Sequence, residues 1–284
     1  MADEPAGRLS HQNDSGDARK QPSSRARIDT SVPHSARVWN YLLGGKDNYP
    51  VDRQAGDRVR EVFPGMADVA LHSRYMLTRV VRYLAGEAGI RQFLDIGTGL
   101  PTVDNTHEVA QRVAPESRIV YVDNDPLVLV HAHALLTSTP EGVTDYIEAD
   151  VREPEVILEA AAKTLDLGRP TALMLMGILG LVGDDDEARS IVTRLMAALP
   201  PGSYLALYDG ADTDPAYVQA LRNHNARPGV VPYTARSPET IARYFDGLTL
   251  LEPGVVPVTK WRPNHPELSE PPEVACAGGV ARKP

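Results

Sequence analysis

The chain has 284 residues, 42% of them hydrophobic, and a formal net charge of −9. That length and apolar content suffice for a substantial core, in one large domain or two small ones. The acidic balance, with no Lys/Arg cluster interleaved with aromatics, argues against a nucleic-acid partner, and the single cysteine, Cys276, excludes an internal disulfide or a multi-cysteine zinc site.

Residues 1–30 carry almost no large apolar side chain, and their acids and bases balance, so the net charge belongs to the rest of the chain. A segment with so little to bury cannot offset its ordering entropy, and a disordered tail is expected. From residue 31 to 90 the pattern is helical. Val38, Tyr41 and Leu42 recur at helical spacing before a Gly44-Gly45 stop. A second helix is predicted from Val51 to Val62, and a third from Met66 to Ala85 with Val69, Met76, Val80 and Leu84 inward.

From Arg91 to the end, short apolar runs alternate with amphipathic stretches. The runs are Gln92–Ile96, Ile119–Val122, Thr144–Ile147, Leu173–Met176 and Tyr204–Leu207, with helices expected near Asn105, Pro126, Pro154 and Asp184. Such alternation predicts an α/β fold, a parallel sheet covered on both faces. Leu248–Leu251 and Val255–Lys260 read as extended, and Val274–Val280 as an antiparallel return at the edge. The longest apolar run, Thr171 to Gly183, is shorter than the ~18 residues a spanning helix needs, and the polar N-terminus lacks the apolar core of a signal peptide. A cytoplasmic protein without a membrane partner is expected.

The stretch Phe93-Leu94-Asp95-Ile96-Gly97-Thr98-Gly99 is a buried strand ending in an acid and a glycine turn, which brings backbone close to a ligand at the strand's carboxyl end. A dinucleotide fingerprint wants a third glycine where this chain has Thr102 after Pro101, and it would set Asp95 against a diphosphate. A nicotinamide-dependent oxidoreductase is therefore disfavoured. S-adenosylmethionine carries no phosphate and does carry an ammonium, which an aspartate suits. The next strand ends in Asp123-Asn124, where a carboxylate can accept from ribose hydroxyls, and the third is followed by Asp150-Val151, suited to an adenine amino group and ring. Singly, Asp123 or Asp150 reads more simply as a helix cap or a solvated loop acid. Three acids closing three consecutive strands point to a ligand site.

These residues resemble class I S-adenosylmethionine-dependent methyltransferases. Ala36 to Pro50 (ARVWNYLLGGKDNYP), Leu94 to Thr102 and Asp104-Asn105-Thr106-His107-Glu108 resemble an actinobacterial family of S-adenosyl methyltransferases, formerly a domain of unknown function, over residue 31 to the end. The resemblance implies a Rossmann-like, seven-stranded, mostly parallel sheet with an antiparallel last strand, preceded by an N-terminal helical extension. It implies S-adenosylmethionine as cofactor, held by Asp95, Gly97, Thr98, Gly99, Asp123, Asn124, Asp150 and Val151. Around the Gly-Gly turn, Trp39, Tyr41, Asn48 and Tyr49 are either packing or a lid, whose aromatic faces would suit a sulfonium cation. Asn48 and Tyr49 are counted with the cofactor site on the second reading.

Other residues carry less. Nucleobase methyltransferases often place Asn or Asp with Pro-Pro and an aromatic after the fourth strand; Gly177-Ile178-Leu179-Gly180 has none of these, and many small-molecule relatives carry histidine where Gly180 stands. Asp184, Asp185 and Asp186 suit a helix start better than a metal, and His131 and His133 are spaced to point apart. Asn105 and Glu108 form a capping box around His107, which reads as structural. Tyr49, His72, Asp209 and His224 are candidate bases, with His72 and Arg74 more simply read as solvated surface. The expected activity is direct methyl transfer to a small-molecule acceptor; the alternative is a non-catalytic sensor of S-adenosylmethionine or its demethylated product, lacking a second cavity for an acceptor.

Overall fold

The computed structural model describes residues 29–135, 137–264 and 272–284. The tail expected over residues 1–30 lies almost wholly outside them. Three helices come first: α1 (Ser35–Leu42), α2 (Pro50–Val62) and α3 (Met66–Gly86). The sheet then alternates with helices: β1 (Gln92–Ile96), α4 (Thr106–Val113), β2 (Arg118–Asp123), α5 (Pro126–Leu135), β3 (Val143–Glu148), α6 (Pro154–Ala161), β4 (Ala172–Met176), α7 (Asp185–Ala197) and β5 (Tyr204–Gly210). Helices α8 (Pro215–Asn225) and α9 (Pro238–Ala242) and strands β6 (Thr249–Leu250), β7 (Val256–Pro257) and β8 (Cys276–Arg282) complete it. No described helix is long and apolar enough to cross a membrane.

Strands β1 to β5 pair in parallel in the order β3-β2-β1-β4-β5. Strand β8 runs antiparallel to β5, pairing Tyr204 with Arg282 through Gly210 with Cys276. The expected edge role of β8 is corrected: it is internal, because β6 pairs with Arg282 and Ala281 and β7 with Gly278 and Ala277 along its outer side. The seventh position of the sheet is thus shared by two short pieces.

Period-two alternation sends successive residues of each strand to two cores. Phe93, Ile119, Tyr121, Met174 and Ala206 face one core with α3 and α4; Leu94, Val120, Leu173, Leu175, Leu205 and Leu207 face the other with α6 and α7. Helix α3 shares the first core through Met76, Val80 and Leu84, each fully buried. Asn105 and Glu108 cap α4 as expected, and Asp184 caps α7 by accepting from the Glu187 amide at 2.8 Å. Asp185 pairs with Arg236 at 2.6 Å; among the described residues no group of side chains could hold a metal.

Candidate functional site

Parallel strands leave a crevice at their carboxyl ends, where loops turn to either side. Here that crevice deepens into an open-mouthed cavity of about 210 Å³, roofed by α1. One end is formed by Asp95, Gly97, Thr98, Gly99, Asp123 and Asn124, the other by apolar side chains such as Met66, Val69, Leu77, Met176 and Leu221 with Tyr208, Tyr217, Tyr233 and His224.

The turn after β1 has the conformation its glycines allow. Gly97 (φ 76°) and Gly99 (φ 64°) both sit in the left-handed region. A Cβ on Gly97 would stand 2.6 Å from the Ile178 side chain, whereas one on Gly99 would meet nothing within 4 Å, so Gly99 fronts open space. Asp95 is almost fully enclosed, on the α3–α4 face of the sheet, and accepts from the Thr106 hydroxyl at 2.6 Å. Burial pushes its carboxyl up to about 6, against the opposing pull of Thr106 and Arg74.

Asp123 accepts from the Gly99 amide at 2.8 Å through Oδ2 and from the Asp125 amide at 2.9 Å through Oδ1. Burial raises its pKa above the usual carboxylate value, partly offset by those two amides. Beyond it, Asn124 Nδ2 donates to Asp150 Oδ2 at 3.3 Å, and Asp150 Oδ1 accepts from the Arg152 amide. Asp150 and Val151 do not line the cavity; Val151 is buried in the second core.

Asn48 and Tyr49 stand behind the roof and outside the cavity lining. Asn48 Nδ2 donates to Asn40 Oδ1 and to the Gly45 carbonyl, both at 2.9 Å. Tyr49 caps α2, lies under the Arg37 guanidinium 5.3 Å from its ring centre, and packs with Leu100, Leu127 and Val128. Tyr41 turns away to donate to Asp57, while Trp39 lines the cavity. Of the candidate bases, only His224 lines it; burial lowers its pKa, and Nε2 lies 3.4 Å from the Val231 carbonyl. His72 packs edge-on against Tyr75, and His107 is buried against Tyr121 with Nδ1 2.9 Å from its hydroxyl.

Two residues that the sequence reading set aside or missed belong to the site. Arg74 is corrected from solvated surface: it lines the cavity, and its Nη2 donates to the Asp104 carbonyl at 3.0 Å and Asn105 Oδ1 at 3.2 Å. Its position on α3, between two inward residues, Ser73 and Met76, was the available signal. Tyr233 lies in a loop with no regular spacing, and only its juxtaposition to Gly180 in space betrays it.

Comparison with known proteins identifies the family. A protein of the DUF574 family from Streptomyces avermitilis is 48% identical, with a TM-score of 0.86 over 91% of this chain and all of that one. A candidate methyltransferase from Thermobifida fusca is 44% identical, with a TM-score of 0.82 over 90% of this chain and 97% of that one. No curated protein matches the chain. The family model for S-adenosyl methyltransferases matches residues 21–284. The chain therefore belongs to the S-adenosyl methyltransferase family, and its cofactor is S-adenosylmethionine.

Proposed function

We propose that the chain transfers the methyl group of S-adenosylmethionine to an apolar small molecule by direct displacement. The observation that carries this reading is a single continuous cavity with an acid-lined end and an apolar end. The first suits a cationic nucleoside. Asp95 faces the cofactor's ammonium, Arg74 beside it faces the carboxylate, Gly97, Thr98 and Gly99 give their backbone to the chain between, and Asp123 takes the ribose hydroxyls. The open space in front of Gly99 is where a side chain would collide with such a ligand. Asn124, with Asp150 behind it, borders the adenine side, and Val151 supports that loop from the core. Asn48 and Tyr49 act at one remove, by fixing the α1 roof through Asn40 and Arg37.

An apolar lining of this kind is not needed to sense the cofactor alone. It supports an acceptor bound beside the methyl, where alignment and exclusion of water do most of the catalytic work. Residues 31–90 then act as a helical lid on an α/β domain of residues 91–284.

Purified protein at a concentration of S-adenosylmethionine about one hundred times its dissociation constant should be stabilised by ~2.7 kcal/mol, which a melting curve resolves. NAD should leave the melt unchanged. The reverse pattern would remove the basis of the proposal.

Asp123→Ala is expected to have two effects. Loss of charged hydrogen bonds to the ligand should weaken binding by roughly 1.5–3 kcal/mol in calorimetry. Because Gly99 and Asp125 donate to this carboxylate, the ligand-free protein should also lose ~1–3 kcal/mol of stability. Unchanged affinity would return Asp123 to a purely structural role in the turn.

A further inference from the structure

The phenol of Tyr233 occupies the space that a side chain at residue 180 would fill. A Cβ on Gly180 would stand only 2.3 Å from its ring, and one on Gly210 would collide with the Tyr217 hydroxyl and stand 3.0 Å from Tyr233. The backbone of Tyr233 is pinned from both sides. Asn225 Nδ2 donates to its carbonyl at 2.9 Å, its amide donates to Asn225 Oδ1 at 3.0 Å, and the next amide, Thr234, donates to the Gly180 carbonyl at 2.7 Å. Two glycines and a doubly bonded loop thus hold one hydroxyl at the apolar end of the cavity.

That hydroxyl donates to Asp209 Oδ1 and accepts from the Gly210 amide at 3.1 Å. A phenol oxygen has one proton and two acceptor positions, so one acceptor position is left for a ligand. Asp209 itself is fully enclosed at the carboxyl end of β5, and its Oδ2 has no hydrogen-bond partner among the described residues. An aspartate buried this completely is costly unless something makes use of it. Burial pushes its carboxyl up to about 6, against Tyr233, Arg236 and the Gly210 and Gly180 amides, which pull it down.

We propose that Tyr233, backed by Asp209, receives the hydroxyl of the methyl acceptor, which makes the acceptor a phenol or enol on an apolar body. This rests on the reading of the cavity as a methyl-transfer site. The acceptor oxygen forms its bond to the methyl carbon as the S–CH₃ bond breaks and the sulfur leaves as a neutral thioether. The acceptor's proton passes to Tyr233 as Tyr233 passes its own to Asp209. Tyr233 touches the acceptor, and Asp209 is a positioning residue that acts through it. Met66, Val69, Leu77 and Leu221 on the same cavity supply contact for the body of the acceptor.

The test uses the full-length protein saturated with S-adenosylhomocysteine and three probe pairs: phenol and anisole, 2-naphthol and 2-methoxynaphthalene, 7-hydroxycoumarin and 7-methoxycoumarin. At least one hydroxyl probe should bind roughly tenfold tighter than its methyl ether, the value of one hydrogen bond to a charge-backed partner. Tyr233→Phe keeps the ring that fills the Gly180 space and should erase that preference, while affinities for the methyl ether and for S-adenosylhomocysteine stay as in wild type. Asp209→Asn should reduce the preference in the same selective way, whereas a merely structural role moves all the affinities together. If Tyr233→Phe does not fold, Gly180→Ala displaces the ring without altering the hydroxyl and should erase the preference instead. Equal binding of every probe and its ether, no binding of any probe, or a preference that survives Tyr233→Phe overturns the proposal while cofactor binding stands. Failure of S-adenosylhomocysteine to bind wild type overturns the methyl-transfer reading as well.

Discussion

Asp95→Asn is expected to abolish stabilisation by S-adenosylmethionine and, at the same time, to raise the melting temperature of the ligand-free protein above pH 7. The carboxyl of Asp95 is raised from 3.8 to about 6 by burial. Between those values the folded protein holds a proton that the unfolded chain has released. Ligand-free stability therefore falls as pH climbs through that window, and the full cost is present above about 6. At 1.36 kcal/mol per unit, that cost is at most ~3 kcal/mol. Asparagine never carries the charge, and its amide oxygen still accepts from Thr106, so the cost disappears in the variant. Groups that titrate alike in both proteins, Asp209 and the buried histidines among them, cancel in the difference. The variant's advantage should thus be large at pH 8 and shrink towards pH 4. In the complex the sign reverses, since a buried ammonium without its counter-charge costs ~3–5 kcal/mol. Thermal melts of both proteins across pH, with and without cofactor, check both halves. A difference that does not vary with pH would mean that Asp95 is ionised without penalty.

The second large effect concerns the chain that closes the sheet. Trp261 is fully buried in the first core, edge-on to Tyr83 with ring centres 6.2 Å apart. Arg79 on α3 donates to its carbonyl at 2.9 Å and to that of Val258 at 2.5 Å, tying the segment after β7 to the helix. Trp261→Ala should cost ~3–5 kcal/mol in denaturant unfolding, because a cavity opens where backbone hydrogen bonds prevent collapse. Trp261→Phe should cost much less than its volume change suggests. The indole Nε1 is buried without a partner among the described residues, and phenylalanine removes that uncompensated donor. Equal losses in the two variants would show that the indole nitrogen is satisfied. Neither change touches the cavity, so cofactor affinity of the folded fraction should stay as in wild type.

Much of the fold was legible because it rests on local rules. The β1 run Gln92–Ile96 and the helix after the Asn105 cap are where periodicity and capping put them. Helix α8 was overlooked although Asp214-Pro215 is a cap followed by a proline at the first helical position, and Ser237-Pro238 opens α9 in the same way. Strand β8 was found but misplaced, since pairing partners two residues long, β6 and β7, leave almost no periodic signal. In the site, the acids Asp95 and Asp123 were legible from their places at strand ends. Arg74 had only the weak signal of its place between Ser73 and Met76 on α3, and Tyr233 had none, because it owes its position to tertiary packing. Gly180 is instructive: the sequence shows only that a side chain is missing there, and the fold shows that another part of the chain has moved into its place.

The internal position of β8 has a consequence for the order in which the protein can assemble. Leu250 and Val256 leave the ribosome before the strand with which they pair, and the open side of β5 has no partner until Cys276–Arg282 emerges. During synthesis the parallel half of the sheet therefore carries an exposed edge, with unpaired amides and carbonyls from Tyr204 to Gly210, open to pairing with another nascent chain. When β8 inserts, it fills that edge and gives β6 and β7 a ladder in one step. The last long strand of the sheet to be made acts as the keystone of the assembly, and chains stalled before residue 276 should be far more prone to aggregate than finished ones.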